Sequence, residues 1–160
     1  MAKPQIDRQV ITKLWAICAG ETDHVTLMPL VAGELFHAVD GFDRVRFCQV
    51  LAPGVLKLGP YQGGQGCLVI PFAKGVCGAA ARKQQPQIVD DVHQFDGHIA
   101  CDASTQSELV VPGFDMGQNL VVVLNVDSNQ TAFSATRSLG NSIRLWPNYL
   151  ARMWKCDDSK

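Results

Sequence analysis

Apolar residues at positions 6, 10, 11, 14, 15 and 18 recur at three- and four-residue spacings, which predicts an amphipathic helix over 6–18 closed by Gly20. A second helix is expected over 25–39, with Leu27, Leu30, Val31, Leu35 and Val39 inward and Thr22 or Asp23 as its cap. The period then changes. "RVRFCQVL" alternates as a strand, "APG" supplies a turn, and "VLKLGPYQG" returns as the hairpin partner. "CLVIPF" predicts a short buried strand, "KGVCGAAARKQ" a helix favoured by its alanines, and "PQIVDDV" a further strand. Residues 93–106 carry neither period, and such segments inside a domain are often lids or binding loops. "SELVVPGF" and "LVVVLNVDS" form a last hairpin across "DMGQ". The stretch 134–155 is helical in composition, with Pro147 expected to kink or split it. Helices at the ends and antiparallel hairpins between them predict an α+β fold, a sheet with helices packed on its faces.

No internal repeat or linker breaks the pattern, so residues 1–160 are expected to form a single domain. A chain of this length buries roughly 70% of its unfolded surface on folding, and a hydrophobic content of 47% can fill that core. The net charge is −1, from 14 basic and 15 acidic residues with no run of one sign. That leaves no electrostatic footprint for nucleic acid or an anionic membrane. Asp7, Arg8, Gln9 and Lys13 interrupt the first twenty residues, so neither a signal peptide nor a membrane span is expected there. A cytoplasmic address follows as the expectation. In that compartment the six cysteines rest as thiols, and a disulfide is more often transient and catalytic than structural.

Three of those cysteines, Cys67, Cys77 and Cys101, lie within 35 residues. A thiol attacks only as its thiolate and only where it is reachable. Cys101, in the irregular segment between His98 and the acidic Asp102 and Glu108, meets the second condition best. A sulfenic acid formed on one cysteine is rescued by a second thiol that condenses with it to a disulfide. One attacking and one resolving cysteine is thus the minimum kit of a reductase. Cys18 and Cys48 fall in periodic apolar segments and read as small buried hydrophobes, and Cys156 as an incidental surface thiol. Structural zinc sites pair their ligands two to four residues apart. This chain has no C-x-x-C pair, and no metal site is expected. His24 and His37 read as helix-surface residues, His93 and His98 as hydrogen-bonders of the loop.

The runs "LKLGPYQG", "CLVIPFAKGVCGAAA" and "QIVDDVHQFDGHIACDASTQSELVVP", with "AGETD" before them and "VDS" after, resemble the free methionine-(R)-sulfoxide reductases, a stand-alone branch of the GAF domain family. The resemblance covers roughly residues 15–135 and includes three cysteines that generic GAF modules lack. It implies a central antiparallel sheet, terminal helices packed on one face, and a ligand pocket with a lid loop on the other. It implies reduction of free methionine sulfoxide to methionine with thioredoxin as reductant and no cofactor, and a homodimer is compatible with it. The sulfenic-acid cysteine falls on Cys101, the resolving cysteine on Cys67, the third on Cys77, and the family's acidic residue on Glu108. Glu108, its pKa raised by burial, could hold the proton for the departing oxygen. Asp127 would meet the substrate's ammonium, and Asn125 would add a hydrogen bond without charge.

The chain departs from the family in two places. The tryptophan–x–glycine–phenylalanine–tyrosine run of the first strand aligns with "VRFCQ", Val45 to Gln49, and the first of two aspartates is Asn125. The expectation is a cavity under the 93–106 segment lined by Cys67, Cys101, Glu108, Asn125 and Asp127, widened where Val45 and Cys48 replace bulkier residues. Val45→Trp and Asn125→Asp would then tighten substrate binding. A catalytically silent GAF module, or a reductase of another small sulfoxide, are the alternative readings.

Overall fold

A computed structural model describes residues 8–143 of the chain. Cys156, Pro147 and most of the expected C-terminal helix lie outside the described residues. Helix α1 (Arg8–Cys18) and helix α2 (His24–Ala38) come first, and Asp23 caps α2 by accepting from the Val25 amide at 2.9 Å. Strands β1 (Arg44–Ala52) and β2 (Val55–Gly63) form the first hairpin. Strand β3 (Val69–Pro71), helix α3 (Gly75–Lys83) and strand β4 (Gln87–Val89) follow. A single 3-10 turn (Val92–Gln94) opens the irregular segment. Strands β5 (Ser107–Phe114) and β6 (Leu120–Ser128) make the last hairpin before helix α4 (Ser134–Ile143).

The six strands pair in the order β3-β2-β1-β6-β5-β4, every neighbour antiparallel. Side chains alternate across a strand, so β1, β6 and β5 each feed two layers. Val45 and Phe47, Val122, Leu124 and Val126, and Leu109 and Val111 face one way. There they pack against Leu14, Leu27, Val31 and Leu35 of α1 and α2 and Leu139 of α4. Cys48, Val110 and Val123 face the other way and pack with Ile70 and with Val76, Cys77, Ala80 and Ala81 of α3. The terminal helices therefore cover one face, and α3 with the irregular segment covers the other.

Two expectations are corrected here. "CLVIPF" is not a buried strand: β3 is an edge of the sheet, Leu68 and Val69 are exposed, Ile70 turns inward, and Cys67 and Phe72 are only partly buried. Val45 does not face the pocket. It is fully buried in the helix-side layer, and Arg46, one position on, takes the pocket face.

Candidate active site

The register fixes which side chains meet on the α3 face. Arg44 lies opposite Asp127 and Arg46 opposite Asn125 across β1 and β6, while Glu108 of β5 lies opposite Asp127 on its other side. Five polar side chains thus share one small area, all buried, with Asn125 and Asp127 fully enclosed. A buried charge is stable only when paired and hydrogen-bonded. Asp127 is. Its Oδ2 accepts from Arg46 Nη2 at 2.6 Å and from Arg44 Nε at 3.2 Å, and its Oδ1 accepts from Asn125 Nδ2 at 2.8 Å. Asn125 Oδ1 accepts from Arg46 Nε at 2.5 Å.

Arg44 reaches from the sheet into the irregular segment. Its Nη1 donates to Asp102 at 2.8 Å and its Nη2 to Thr105 Oγ1 at 2.7 Å and Asn129 Oδ1 at 2.9 Å. Main-chain bonds hold the rest of that segment: Val92 N donates to Gln106 O, Gln106 N to Ser128 O, and Gly75 N, at the start of α3, to Gly97 O. Cys101, beside Asp102, is joined to Cys67 in a disulfide whose Cα atoms are 5.1 Å apart. That separation suits a disulfide bridge.

Next to this disulfide is a small cavity, with room for the centre of about one water-sized sphere (≈ 10 Å³). Its polar walls are Arg46, Glu108, Cys77 and Cys101, and Ile70, Val76 and Ile99 complete it with apolar surface. Of the residues expected to line it, Cys101 and Glu108 do so. Cys67 is present through its bond to Cys101, and Asn125 and Asp127 lie beneath Arg46 instead.

Burial, reinforced by the charge of Asp127, pushes the Glu108 carboxyl well above the ordinary range. Burial also works against the Arg46 charge, but Asp127, with Cys77, Cys48 and Glu108, outweighs it and the pKa rises. Cys77 hydrogen-bonds to Cys48; that bond and then burial raise the Cys77 thiol well above its usual value, while the same bond lowers Cys48. Cys48, expected to be a simple buried hydrophobe, is buried as expected but also partners the third cysteine of the cavity. His98 falls below the usual histidine value through burial and the neighbouring His93, and its Nδ1 has no hydrogen-bond partner among the described residues. The loop-bonding expected of it is absent at that atom.

Sequence reasoning missed Arg44 and Arg46. The signal was there: two arginines two apart in an otherwise apolar strand, against an asparagine and an aspartate two apart in another. A charge placed twice on the inner face of a strand requires partners on the next one.

A six-stranded antiparallel sheet with helices on one face and a thiol-bearing pocket on the other defines a GAF-type domain. A solved GAF domain structure superposes with a TM-score of 0.79 at 29% identity, covering 92% of this chain and 85% of that one. The free methionine-R-sulfoxide reductase of Saccharomyces cerevisiae is 46% identical over 131 residues, 78% of this chain and 73% of the yeast protein. The free methionine-R-sulfoxide reductase of Neisseria meningitidis, solved in complex with its substrate, has a TM-score of 0.83 at 33% identity and covers 92% of this chain and 87% of its own. No family profile matches the chain. This chain belongs to the free methionine-(R)-sulfoxide reductase family and is an oxidoreductase.

Proposed function

We propose that this chain reduces free L-methionine-(R)-sulfoxide to methionine, with Cys101 as nucleophile and Cys67 as the resolving thiol. The observation that carries this is the Cys67–Cys101 disulfide at a cavity that Glu108 also lines. The Cys101 thiolate attacks the sulfoxide sulfur while Glu108 delivers a proton to the oxygen. The hydroxyl then passes from the substrate sulfur to Cys101 Sγ as the bond between the two sulfurs breaks, so methionine leaves and Cys101 is left as the sulfenic acid. The Cys67 thiol displaces that hydroxyl as water and forms the disulfide. Two electrons from the two thiols have then passed to the substrate, and a thioredoxin dithiol returns them by exchange. Cys77 is a poor competitor for resolution, because its hydrogen bond to Cys48 and its burial keep it protonated.

The test is thioredoxin-coupled turnover of each methionine sulfoxide epimer, free and peptide-bound, with single turnovers of cysteine variants beside it. The free (R)-epimer alone should turn over. Cys101→Ser should lose methionine formation and sulfenic acid together. Cys67→Ser should release one equivalent of methionine and stall at the sulfenic acid. Normal cycling of Cys67→Ser would move resolution to another thiol. Absence of turnover on every sulfoxide would leave a silent ligand-binding module.

A further inference from the structure

Cys48 and Cys77 are thiols that the proposed reduction leaves unused, and both are buried. They meet in the core of the α3 face, Cys48 from β1 and Cys77 from the first turn of α3. Their side chains hydrogen-bond, and that bond lowers Cys48 and raises Cys77. Cys48, which also feels the charge of Arg46, is thus the readier to ionise, and Cys77 holds the proton. Two groups that interact in this way titrate as a pair, and the shared proton can rest on either sulfur.

Cys77 has a second neighbour. It lines the cavity that Cys101 also lines, a space with room for the centre of about one water-sized sphere (≈ 10 Å³). Gly75 N donates to Gly97 O at 2.9 Å, which holds the first turn of α3 to the segment that carries Cys101. Four sulfurs therefore run inward in a file. Cys67 and Cys101, partly buried, are joined in the disulfide; Cys77 follows across the cavity, and Cys48 lies behind it. Thiol–disulfide exchange proceeds by attack of one sulfur on the next, and such a file is built for it.

We propose that oxidation passes inward along this file: the Cys67–Cys101 disulfide exchanges with Cys77 and then Cys48, so that a Cys48–Cys77 disulfide stores the first oxidation and the chain reduces a second sulfoxide before an external reductant is needed. The Cys77 sulfur attacks Cys101 Sγ as its proton shifts to Cys48, and the Cys67 sulfur leaves and takes up a proton. Cys48 then gives up its proton and attacks Cys77 Sγ, and Cys101 leaves as thiolate. One disulfide, one thiol and one thiolate stand on each side, so the transfer needs no electrons from outside. It is slower than resolution by Cys67, because the buried Cys77 must first lose its proton. This rests on the reductase reading for the sulfoxide, while the exchange itself stands on the four sulfurs.

The test has two arms. In the first, the full chain is reduced with a thiol, freed of it without oxygen, and given excess methionine (R)-sulfoxide with no reductant. Wild type should form two equivalents of methionine, the second more slowly, and peptide mass maps after alkylation should show both the Cys67–Cys101 and the Cys48–Cys77 disulfide. Cys48→Ala and Cys48→Val should each stop at one equivalent, a twofold loss, and that first equivalent reports that the variant is folded. If neither variant folds, the wild-type peptide map decides. In the second arm two equivalents of diamide replace the sulfoxide. Wild type should acquire both disulfides, whereas Cys101→Ser, which lacks the entry point, should keep Cys48 and Cys77 as thiols. A wild-type chain without the Cys48–Cys77 peptide, two equivalents from the Cys48 variants, or that disulfide forming as fast in Cys101→Ser as in wild type overturns the proposal. If diamide oxidises the inner pair through Cys101 while no sulfoxide is reduced, the relay stands and the reductase reading falls.

Discussion

Glu108 sits where burial and the charge of Asp127 both oppose ionisation, and this has consequences for stability and for rate. Its folded pKa lies above the unfolded value of about 4.3, so the folded state holds this proton more tightly. The stability it contributes is complete below about pH 4.3 and is lost as pH rises through the folded pKa. Urea unfolding across pH 4–8 should therefore show a falling limb that Glu108→Gln removes. In its proposed role of proton donor, Glu108 should also set the alkaline limb of the rate, and the glutamine variant should lose about 10²–10⁴-fold with that limb flattened. Asn125→Asp was expected to help by restoring a charge, but the geometry reverses the sign. The amide Nδ2 donates to Asp127 Oδ1 at 2.8 Å, and an aspartate would set acceptor against acceptor. One carboxyl must then take up a proton. The variant should be less stable than wild type at pH 8 and recover toward pH 5, measured by thermal unfolding at both values.

Strands β1 and β6 and the segment after the 3-10 turn form a unit, joined by Arg44. Its bonds to Asp102 and Thr105 tie the chain around Cys101 to the sheet. Asp102→Ala should speed amide exchange over 101–106 while leaving α1 and α2 protected, and should slow closure of the disulfide after a single turnover. Val45→Trp, expected to restore a pocket aromatic, instead drives an indole into the layer shared with α1 and α2. Overpacking of that kind costs about 1–3 kcal/mol, which denaturant unfolding would resolve. The same elements show what the sequence could and could not reveal. Helix α2 was legible with its cap narrowed to Thr22 or Asp23, the first hairpin from its alternation and the last from two apolar runs across a turn, because local chemistry decides those features. The phase of β1 was not. The first five residues of β1 are buried whichever face they take, so burial alone does not set its direction, and one position of shift exchanges the two layers. The partners of Arg46 are 79 and 81 residues away, a pairing that only the register of β1 against β6 creates. Exposure of β3 depended likewise on which strand ended as the edge. The Cys67–Cys101 disulfide was legible through resemblance, whereas the Cys48–Cys77 contact joins a strand to a helix and has no local sign.

At the scale of the whole molecule the Cys67–Cys101 bond closes a loop across a sequence separation of 34, and α3, β4 and most of the irregular segment hang within it. Constraining the unfolded chain over that length is worth about 4 kcal/mol in the chain-entropy account. The oxidised protein should unfold roughly 8–15 °C above the reduced one, a gap that Cys67→Ser should abolish in calorimetry. The proposed cycle therefore alternates a tighter and a looser fold. The cluster around Asp127 has a consequence of another kind, in descent. Arg46 and Asn125 fit one another, since the guanidinium needs the amide oxygen and Asp127 needs the amide hydrogen. Exchange of Arg46 alone strands that oxygen and one lobe of Asp127, and exchange of Asn125 alone for aspartate sets two acids face to face. Positions 46 and 125 should therefore be inherited as a pair, arginine accompanying asparagine, with mixed combinations scarce wherever sequences of relatives are aligned.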